Sequence, residues 1–176
     1  DHSNISKLES MAIKESAAEH NISLYVEGIG TTNDDTDTLF GLSLGKGGTG
    51  VIAKVEKGLK EVIKKVKALG IDKTKTIDYV HLDTFGFSRG AAAARYCVHV
   101  ALNEADFQLK QNIEKFGYTV NETKVKFVGL YDTVASFGLP ITHSSDTKDL
   151  KLDGIREAET VVHLAAAEEH RKNFRL

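Results

Sequence analysis

Residues 77–90 read Ile77-Asp78-Tyr79-Val80-His81-Leu82-Asp83-Thr84-Phe85-Gly86-Phe87-Ser88-Arg89-Gly90, and four alanines follow at once. The first part is rich in β-branched and aromatic side chains, which predicts a strand, and the alanines predict a helix. The turn between them carries the Gly-x-Ser-x-Gly pattern of a nucleophile elbow. In such an elbow a serine on a sharp strand-to-helix bend projects its hydroxyl above the sheet.

The two glycines of this turn have a steric explanation. A bend this tight brings the strand end close to the first helical turn, so we expect a Cβ at either Gly86 or Gly90 to collide with the opposite backbone. The alternative is a plain tight turn in which Ser88 caps the helix, a common use of serine. The strand before the pattern and the helix after it favour the elbow.

Length and composition limit the classes of protein to which the chain can belong. Its 176 residues fit a single domain, 1–176. The net charge of −2 does not indicate the basic surface that nucleic-acid-binding proteins have. The single cysteine, Cys97, excludes an internal disulfide. Because no apolar run approaches ~18 residues and the start is not signal-like, we expect a soluble protein without a transmembrane segment or a signal peptide.

Two stretches imitate ligand-binding loops but lack residues that those loops need. Residues 33–37 resemble the start of a calcium loop, yet Thr38 stands in place of its glycine and Leu44 in place of its glutamate. Residues 41–47 resemble a phosphate-binding loop, yet Gly47 replaces the Ser or Thr that would hold magnesium. We therefore expect neither a metal nor a cofactor.

Hydrophobic periodicity predicts alternating helices and strands, the order of an α/β fold with a mainly parallel sheet. Beside the elbow strand and its helix to about Leu102, the pattern predicts an N-terminal helix, a strand at Ile22–Val26 and helices at Val51–Leu69 and Glu104–Phe116. It also predicts a strand at Val125–Thr133, a loop at 135–149 and a final helix at about Ile155–Phe174, with no closing strand.

A carboxylate follows the strand after the elbow. The run from Val125 to Tyr131 is nearly continuously apolar, as in buried parallel strands, and Asp132 comes directly after it. In α/β-hydrolases the catalytic residues follow the chain order serine, acid, histidine, so Asp132 fits the acid by order and position. The alternative is that Asp132 only begins a turn.

The histidine of such a triad is not evident from the sequence. A serine needs a base within hydrogen-bond reach, because the free alcohol is a weak nucleophile at neutral pH. His143 lies on the predicted loop close to Asp132, and His163 lies inside the predicted final helix. Both stay open as candidates, beside a base from outside this chain, which we favour.

Five motifs in order resemble one known family. They are Tyr-x-x-Gly-Ile-Gly-Thr at 25–31, Gly-Lys-Gly at 45–47, Gly-Phe-Ser-Arg-Gly-Ala at 86–91 with Ala-Arg shortly after, Tyr-Asp-Thr-Val-Ala at 131–135, and His-x-Ala-x-Ala-Glu-Glu-His-Arg-x-x-Phe at 163–174. Together they resemble the α/β-hydrolase family of type VI secretion lipase effectors, over most of the chain.

The resemblance implies a three-layer α/β-hydrolase-like fold, a mainly parallel sheet with helices on both faces, incomplete at both ends. It implies that Ser88 is the nucleophile and Asp132 the triad acid, and the N–H of Arg89 is the expected oxyanion donor. Family members begin with a strand ending in Asp-Gly-Thr and carry the triad histidine in a Gly-x-His-Ser-Asp-x-Gly-Gly segment beyond the position of Phe174. Neither feature occurs in this sequence, so we expect the histidine to lie outside it.

The function implied by the resemblance is a serine esterase that cleaves a carboxylic ester, with a phospholipid as substrate. The implied partners are that lipid and either the secretion apparatus or an immunity protein, and the implied location is the cytoplasm before export. Two alternatives stay open: a serine hydrolase acting on a non-lipid ester or amide, and a non-catalytic domain that keeps the fold as an interaction surface.

Overall fold

The computed structural model describes residues 4–11, 15–16, 19–26, 50–134 and 151–166. In chain order its elements are helix α1 (Asn4–Met11), strands β1 (Glu15–Ser16) and β2 (Glu19–His20), helix α2 (Val51–Ala68), strand β3 (Thr76–Phe87), helix α3 (Arg89–Asn103), helix α4 (Leu109–Glu114), strand β4 (Thr119–Tyr131), a 3-10 helix (Leu152–Glu157) and strand β5 (Ala158–Leu164).

Three parallel strands form the main sheet, in the order β3-β4-β5. The short strands β1 and β2 form a separate antiparallel pair. At the carboxyl edge of the main sheet, Phe87 lies opposite Tyr131, and Tyr131 lies opposite Leu164. The residues that follow these three strand ends therefore meet at one edge, where open α/β sheets bind their ligands. The predicted α/β class with a parallel sheet is confirmed.

Helix α3 packs closely on the sheet because its first turns carry alanines. Ala91 and Ala92 are fully buried, as are Val128 and Leu130 of β4. Helix α2 packs against α3 through one apolar stripe, as its spacing predicts. The buried side chains of this stripe are Val51, Val55, Leu59 and Ile63. It ends at Ala68, and Gly70 follows with φ of +63°.

The predicted strand at Ile22–Val26 is wrong, because residues 21–26 have no regular secondary structure. They lie along α2 instead. The Lys65 ammonium donates to the Ser23 carbonyl at 3.0 Å, and a Cβ on Gly58 would lie 3.1 Å from Val26 Cγ2. The apolar side chains of this segment thus pack on a helix rather than in the sheet.

The predicted final helix from Ile155 is also wrong over the residues that the structure describes. A 3-10 helix ends at Glu157, and β5 then pairs with β4. Thr160, Val161 and Val162 are β-branched and favour a strand, whereas the prediction gave more weight to the alanines and glutamates that follow them. The sheet therefore has the closing strand that the sequence analysis excluded. Residues 167–174 lie outside the described ranges.

Two predicted elements change their bounds. The helix predicted at Glu104–Phe116 is shorter and covers Leu109–Glu114. The strand predicted from Val125 begins at Thr119, because Val120 is buried there while the polar residues beside it face outward. The N-terminal helix is confirmed, and the predicted loop at 135–149 lies outside the described ranges. Of the helices described, none has the length and apolarity needed to cross a membrane.

Candidate active site

Ser88 occupies a strained bend between β3 and α3. Its φ of 56° and ψ of −122° lie in a region that residues with a side chain rarely adopt. Such a conformation costs about 1–3 kcal/mol and persists only where the surrounding structure enforces it. The predicted strand, turn and helix are confirmed, and the turn has the strain that an elbow requires.

Backbone hydrogen bonds from two elements hold this bend. The Ser88 N–H donates to the Tyr131 carbonyl at 2.8 Å and so extends the pairing of β3 with β4. The Ser88 carbonyl accepts from the N–H groups of Ala91 at 3.0 Å and Val134 at 3.1 Å. The serine is therefore fixed both to the start of α3 and to the tip of β4.

The two elbow glycines differ in their surroundings. A Cβ on Gly86 would overlap the Gly90 carbonyl and lie 2.6 Å from Ala91 Cα, so the predicted collision there is confirmed. A Cβ on Gly90 would have no described atom within 4 Å. The predicted collision at Gly90 is wrong, because the position of its Cβ points into open space and Gly90 is exposed.

The Ser88 side chain is partly exposed and makes no capping hydrogen bond to α3. The alternative interpretation, a serine that caps the helix, lacks the bond that defines a cap. Arg89 is the first residue of α3, so its N–H lies at the positive end of the helix dipole, beside the serine.

Asp132 directly follows β4, at the same edge of the sheet as Ser88. Its φ of 48° is again left-handed. Its N–H donates to the Leu164 carbonyl at 2.7 Å, and its carboxylate Oδ1 accepts from the Ala166 N–H at 3.4 Å. The acid is thus tied to the end of β5, and the structure brings Ser88 and Asp132 to the tips of neighbouring strands.

His163 lies on β5 opposite Leu130, not in a helix. Its Nε2 is 3.1 Å from Thr133 Oγ1, and its Nδ1 is 3.4 Å from Arg95 Nη2. Desolvation and then the positive charge of Arg95 lower the pKa of His163, while Asp132 acts in the opposite direction. The ring therefore favours its neutral form. His143 lies outside the described residues.

Arg95 and Thr133 are two polar residues of this region to which the sequence analysis assigned no role. Arg95 lies on α3 seven residues after Ser88, two helical turns along the same face. Thr133 is only 4% exposed and follows Asp132 directly. Both belong to the motifs noted above, so the motif positions themselves were the signal that could have pointed to them.

The remaining nucleophile and ligand candidates lie elsewhere. Burial raises the pKa of the Cys97 thiol to about 12, which keeps it protonated and unreactive at neutral pH. Among the residues described, no three His, Cys, Asp or Glu side chains gather in a way that could hold a metal ion. The calcium-like stretch at 33–37 is outside the described part of the chain.

Comparison with known proteins shows which family and which solved structures this chain resembles. Residues 101–176 match the family model described as "T6SS, Phospholipase effector Tle1-like, catalytic domain". The solved structure of the Tle1 effector bound to the VgrG spike of the type 6 secretion system is 28% identical to this chain, with a TM-score of 0.56. The match covers 72% of this chain and 26% of the Tle1 chain, so this chain spans about a quarter of that relative's length.

A second solved structure, of an uncharacterized protein from Pseudomonas aeruginosa, is 24% identical over 73% of this chain and 18% of that one, with a TM-score of 0.37. No curated protein matches the chain. The family-model match, together with the fold similarity to Tle1, confirms the resemblance that the motifs indicated: this chain is similar to the type VI secretion lipase effectors.

Proposed function

We propose that this chain is part of the catalytic domain of a serine lipase that cleaves the ester bonds of phospholipids. The observation that carries the proposal is the strained bend at Ser88, with Asp132 at the neighbouring strand tip. Strain of this kind costs stability and is concentrated at functional sites. The match of residues 101–176, which include Asp132, to the Tle1-like catalytic domain supports lipase chemistry for the domain.

In the proposed mechanism Ser88 Oγ attacks the ester carbonyl while a histidine takes the hydroxyl proton. The tetrahedral intermediate collapses to an acyl-serine as the same histidine donates that proton to the leaving alcohol. Water then attacks the acyl-serine by the reverse sequence of proton transfers and releases the fatty acid. Asp132 orients the imidazole and stabilises its cationic form.

The start of α3 stabilises the negative charge that develops on the ester oxygen. The N–H of Arg89, the residue after the nucleophile, is the first proposed oxyanion donor. One such donor contributes about 3 kcal/mol to transition-state stabilisation. The second donor comes from a strand that we expect outside residues 1–176.

The base is proposed to come from outside this chain. His163 is the described histidine nearest to Asp132 in the fold, but its two ring nitrogens contact Arg95 and Thr133. A triad base must instead contact the nucleophile with one nitrogen and the acid with the other. Since this chain spans about a quarter of the Tle1 chain, the full-length protein has room for such a histidine.

The fold and the partners of the full-length protein are part of the same proposal. Residues 1–176 belong to one α/β-hydrolase-like domain, whose second helical layer would cover the exposed Phe85, Phe87 and Leu164 of the sheet. The Tle1 effector was solved bound to the VgrG spike. By analogy, a spike protein of the secretion apparatus is the proposed partner.

The test compares full-length wild-type protein with Ser88→Ala and Asp132→Asn on phospholipid vesicles and on short-chain esters. Wild type should release fatty acid from the vesicles, Ser88→Ala should lose about 10⁶-fold in kcat, and Asp132→Asn should lose about 10⁴-fold. Activity on short-chain esters alone would indicate a non-lipid hydrolase. If folded wild type cleaves none of these substrates, the domain is a binding module and the proposal fails.

A further inference from the structure

A short series of hydrogen bonds joins the elbow helix to the tip of β4. Arg95 on α3 contacts His163 Nδ1 at 3.4 Å, and His163 Nε2 contacts Thr133 Oγ1 at 3.1 Å. Thr133 is the neighbour of Asp132 and is buried. The mechanism proposed above gives none of these three side chains a role.

The donors and acceptors of this series define one protonation state. A guanidinium can only donate, so His163 Nδ1 must offer its lone pair to Arg95. The imidazole proton then lies on Nε2 and is donated to Thr133 Oγ1 at 3.1 Å. The Thr133 N–H also points at Nε2, from 3.5 Å, and a protonated Nε2 does not accept from it, so in this state the hydroxyl is the partner of Nε2. The lowered pKa of His163 agrees with this neutral tautomer.

Arg95 is held in place by a second hydrogen bond. Its Nη1 also donates to the Leu152 carbonyl at 3.3 Å, so one side chain spans α3, the 3-10 helix and β5. Helix α3 itself is fixed on the sheet by its buried alanines and Val98. Because α3 begins directly after Ser88, a group held by Arg95 is held relative to the elbow.

The tip of β4 needs such support. Asp132 has a φ of 48°, a strained conformation that a residue with a side chain keeps only where its neighbours enforce it. One restraint is the bond from its N–H to the Leu164 carbonyl at 2.7 Å. Two more are the bonds from the Ala166 N–H to Asp132 Oδ1 and from the Val134 N–H to the Ser88 carbonyl. A further one is the contact of His163 with the next residue, Thr133.

We propose that Arg95 and His163 are positioning residues that hold Asp132, through Thr133, at a fixed place relative to Ser88. This inference rests on the proposed function, in which Asp132 orients the catalytic histidine. His163 acts as a neutral hydrogen-bond relay in the structure and not as the base. A misplacement of about 1 Å at a reacting group can cost about 100-fold in rate.

Four variants of the full-length protein separate the bonds. His163→Gln keeps a donor near the position of Nε2, His163→Leu removes both bonds, and Arg95→Met removes the donor to Nδ1. His81→Leu, on the exposed side of β3, is the matched control. Phospholipid hydrolysis should fall about 10-fold to 100-fold in kcat for His163→Leu with KM nearly unchanged. His163→Gln should recover most of that loss, and His81→Leu should equal wild type.

Nitrogen-15 NMR of the histidine rings and backbone gives a readout that needs no activity. Wild type should show His163 as the Nε2–H tautomer, and Arg95→Met should raise its pKa. His163→Leu should shift the amide signals of Asp132 and Thr133, whereas His81→Leu should not. If wild type is inactive, the proposed function fails and these spectra still decide the positioning role. An Nδ1–H tautomer, unmoved Asp132 and Thr133 signals, or unchanged kcat in His163→Leu would overturn the inference.

Discussion

At the scale of single residues, the bend at Ser88 depends on the absence of a side chain at Gly86. Ser88 and Asp132 both have positive φ angles, and each follows the last residue of a strand. The Ser88 carbonyl and N–H are both hydrogen-bonded, so the strain is held by the ladder and by the start of α3. The absence of a Cβ at Gly86 is what lets the helix start lie so close to the strand.

A pair of glycine variants tests this account of the bend. Gly86→Ala should destabilise the protein by about 1–3 kcal/mol, because the new methyl group overlaps the Gly90 carbonyl. Gly90→Ala is the matched control and should change stability by less than about 0.5 kcal/mol, since its methyl group meets open space. Urea unfolding measures both. Equal effects of the two substitutions would contradict the described geometry.

The protonation of His163 makes the stability of the protein depend on pH. Its pKa is lowered from the ordinary value of 6.5 by desolvation and by Arg95, and Asp132 offsets part of this. As pH falls below 6.5, the unfolded chain therefore binds a proton before the folded chain does. The contribution of His163 to stability is complete above that pH and declines below it, down to the folded-state pKa.

His163→Gln isolates this contribution, because glutamine does not titrate. Between about pH 7.5 and about pH 5, wild type should lose more unfolding free energy than His163→Gln. The other histidines are common to both proteins, so their contributions cancel in the difference. Parallel stability curves for the two proteins would show that the folded state does not favour neutral His163.

At the scale of elements, local sequence predicted some parts of the site better than others. The elbow strand, the bend and α3 were predictable because the strand, the glycine and the alanine run all agree. Strand β5 was not, because only three β-branched residues, at 160–162, precede a longer stretch that favours a helix. Pairing with β4 decides the outcome, and a pattern within one segment does not contain that information.

The same limit explains why the surroundings of His163 were missed. A helical His163 has no reason to meet Thr133, whereas β5 places it opposite Leu130, three residues before Thr133 on the neighbouring chain segment. Ser88 and Asp132 could be predicted because their roles follow from chain order and strand ends. Arg95 and Thr133 become neighbours of His163 only through sheet register.

A charge pair tests whether β5 lies beside β4. The Lys126 ammonium contacts the Glu159 carboxylate at 2.9 Å across the two strands. Lys126→Glu and Glu159→Lys should each lower the unfolding free energy slightly, and the double variant should recover the loss because the pair is restored with reversed charges. Thermal unfolding at low salt measures this cycle. Strictly additive effects would mean that the two side chains are not neighbours and would contradict the register.

At the scale of the whole molecule, the described residues bring three strand ends to one edge of a parallel sheet. Ser88, Asp132 and the residues after Leu164 all follow these ends. The chain is similar in fold to the Tle1 effector, with a TM-score of 0.56, and spans about a quarter of it. The proposed oxyanion strand and triad histidine belong to the full-length protein, which is therefore the molecule to measure.

The most direct test is covalent labelling of the full-length protein by a fluorophosphonate probe, with the modified residue identified by mass spectrometry. We expect the probe to label Ser88 in wild type and not to label Ser88→Ala, and we expect labelling to be much slower in Asp132→Asn. Ser88→Ala should remain folded, because the hydroxyl makes no capping bond to α3. A folded wild-type protein that takes up no label, or takes it up equally in Ser88→Ala, would contradict the claim that Ser88 is the nucleophile.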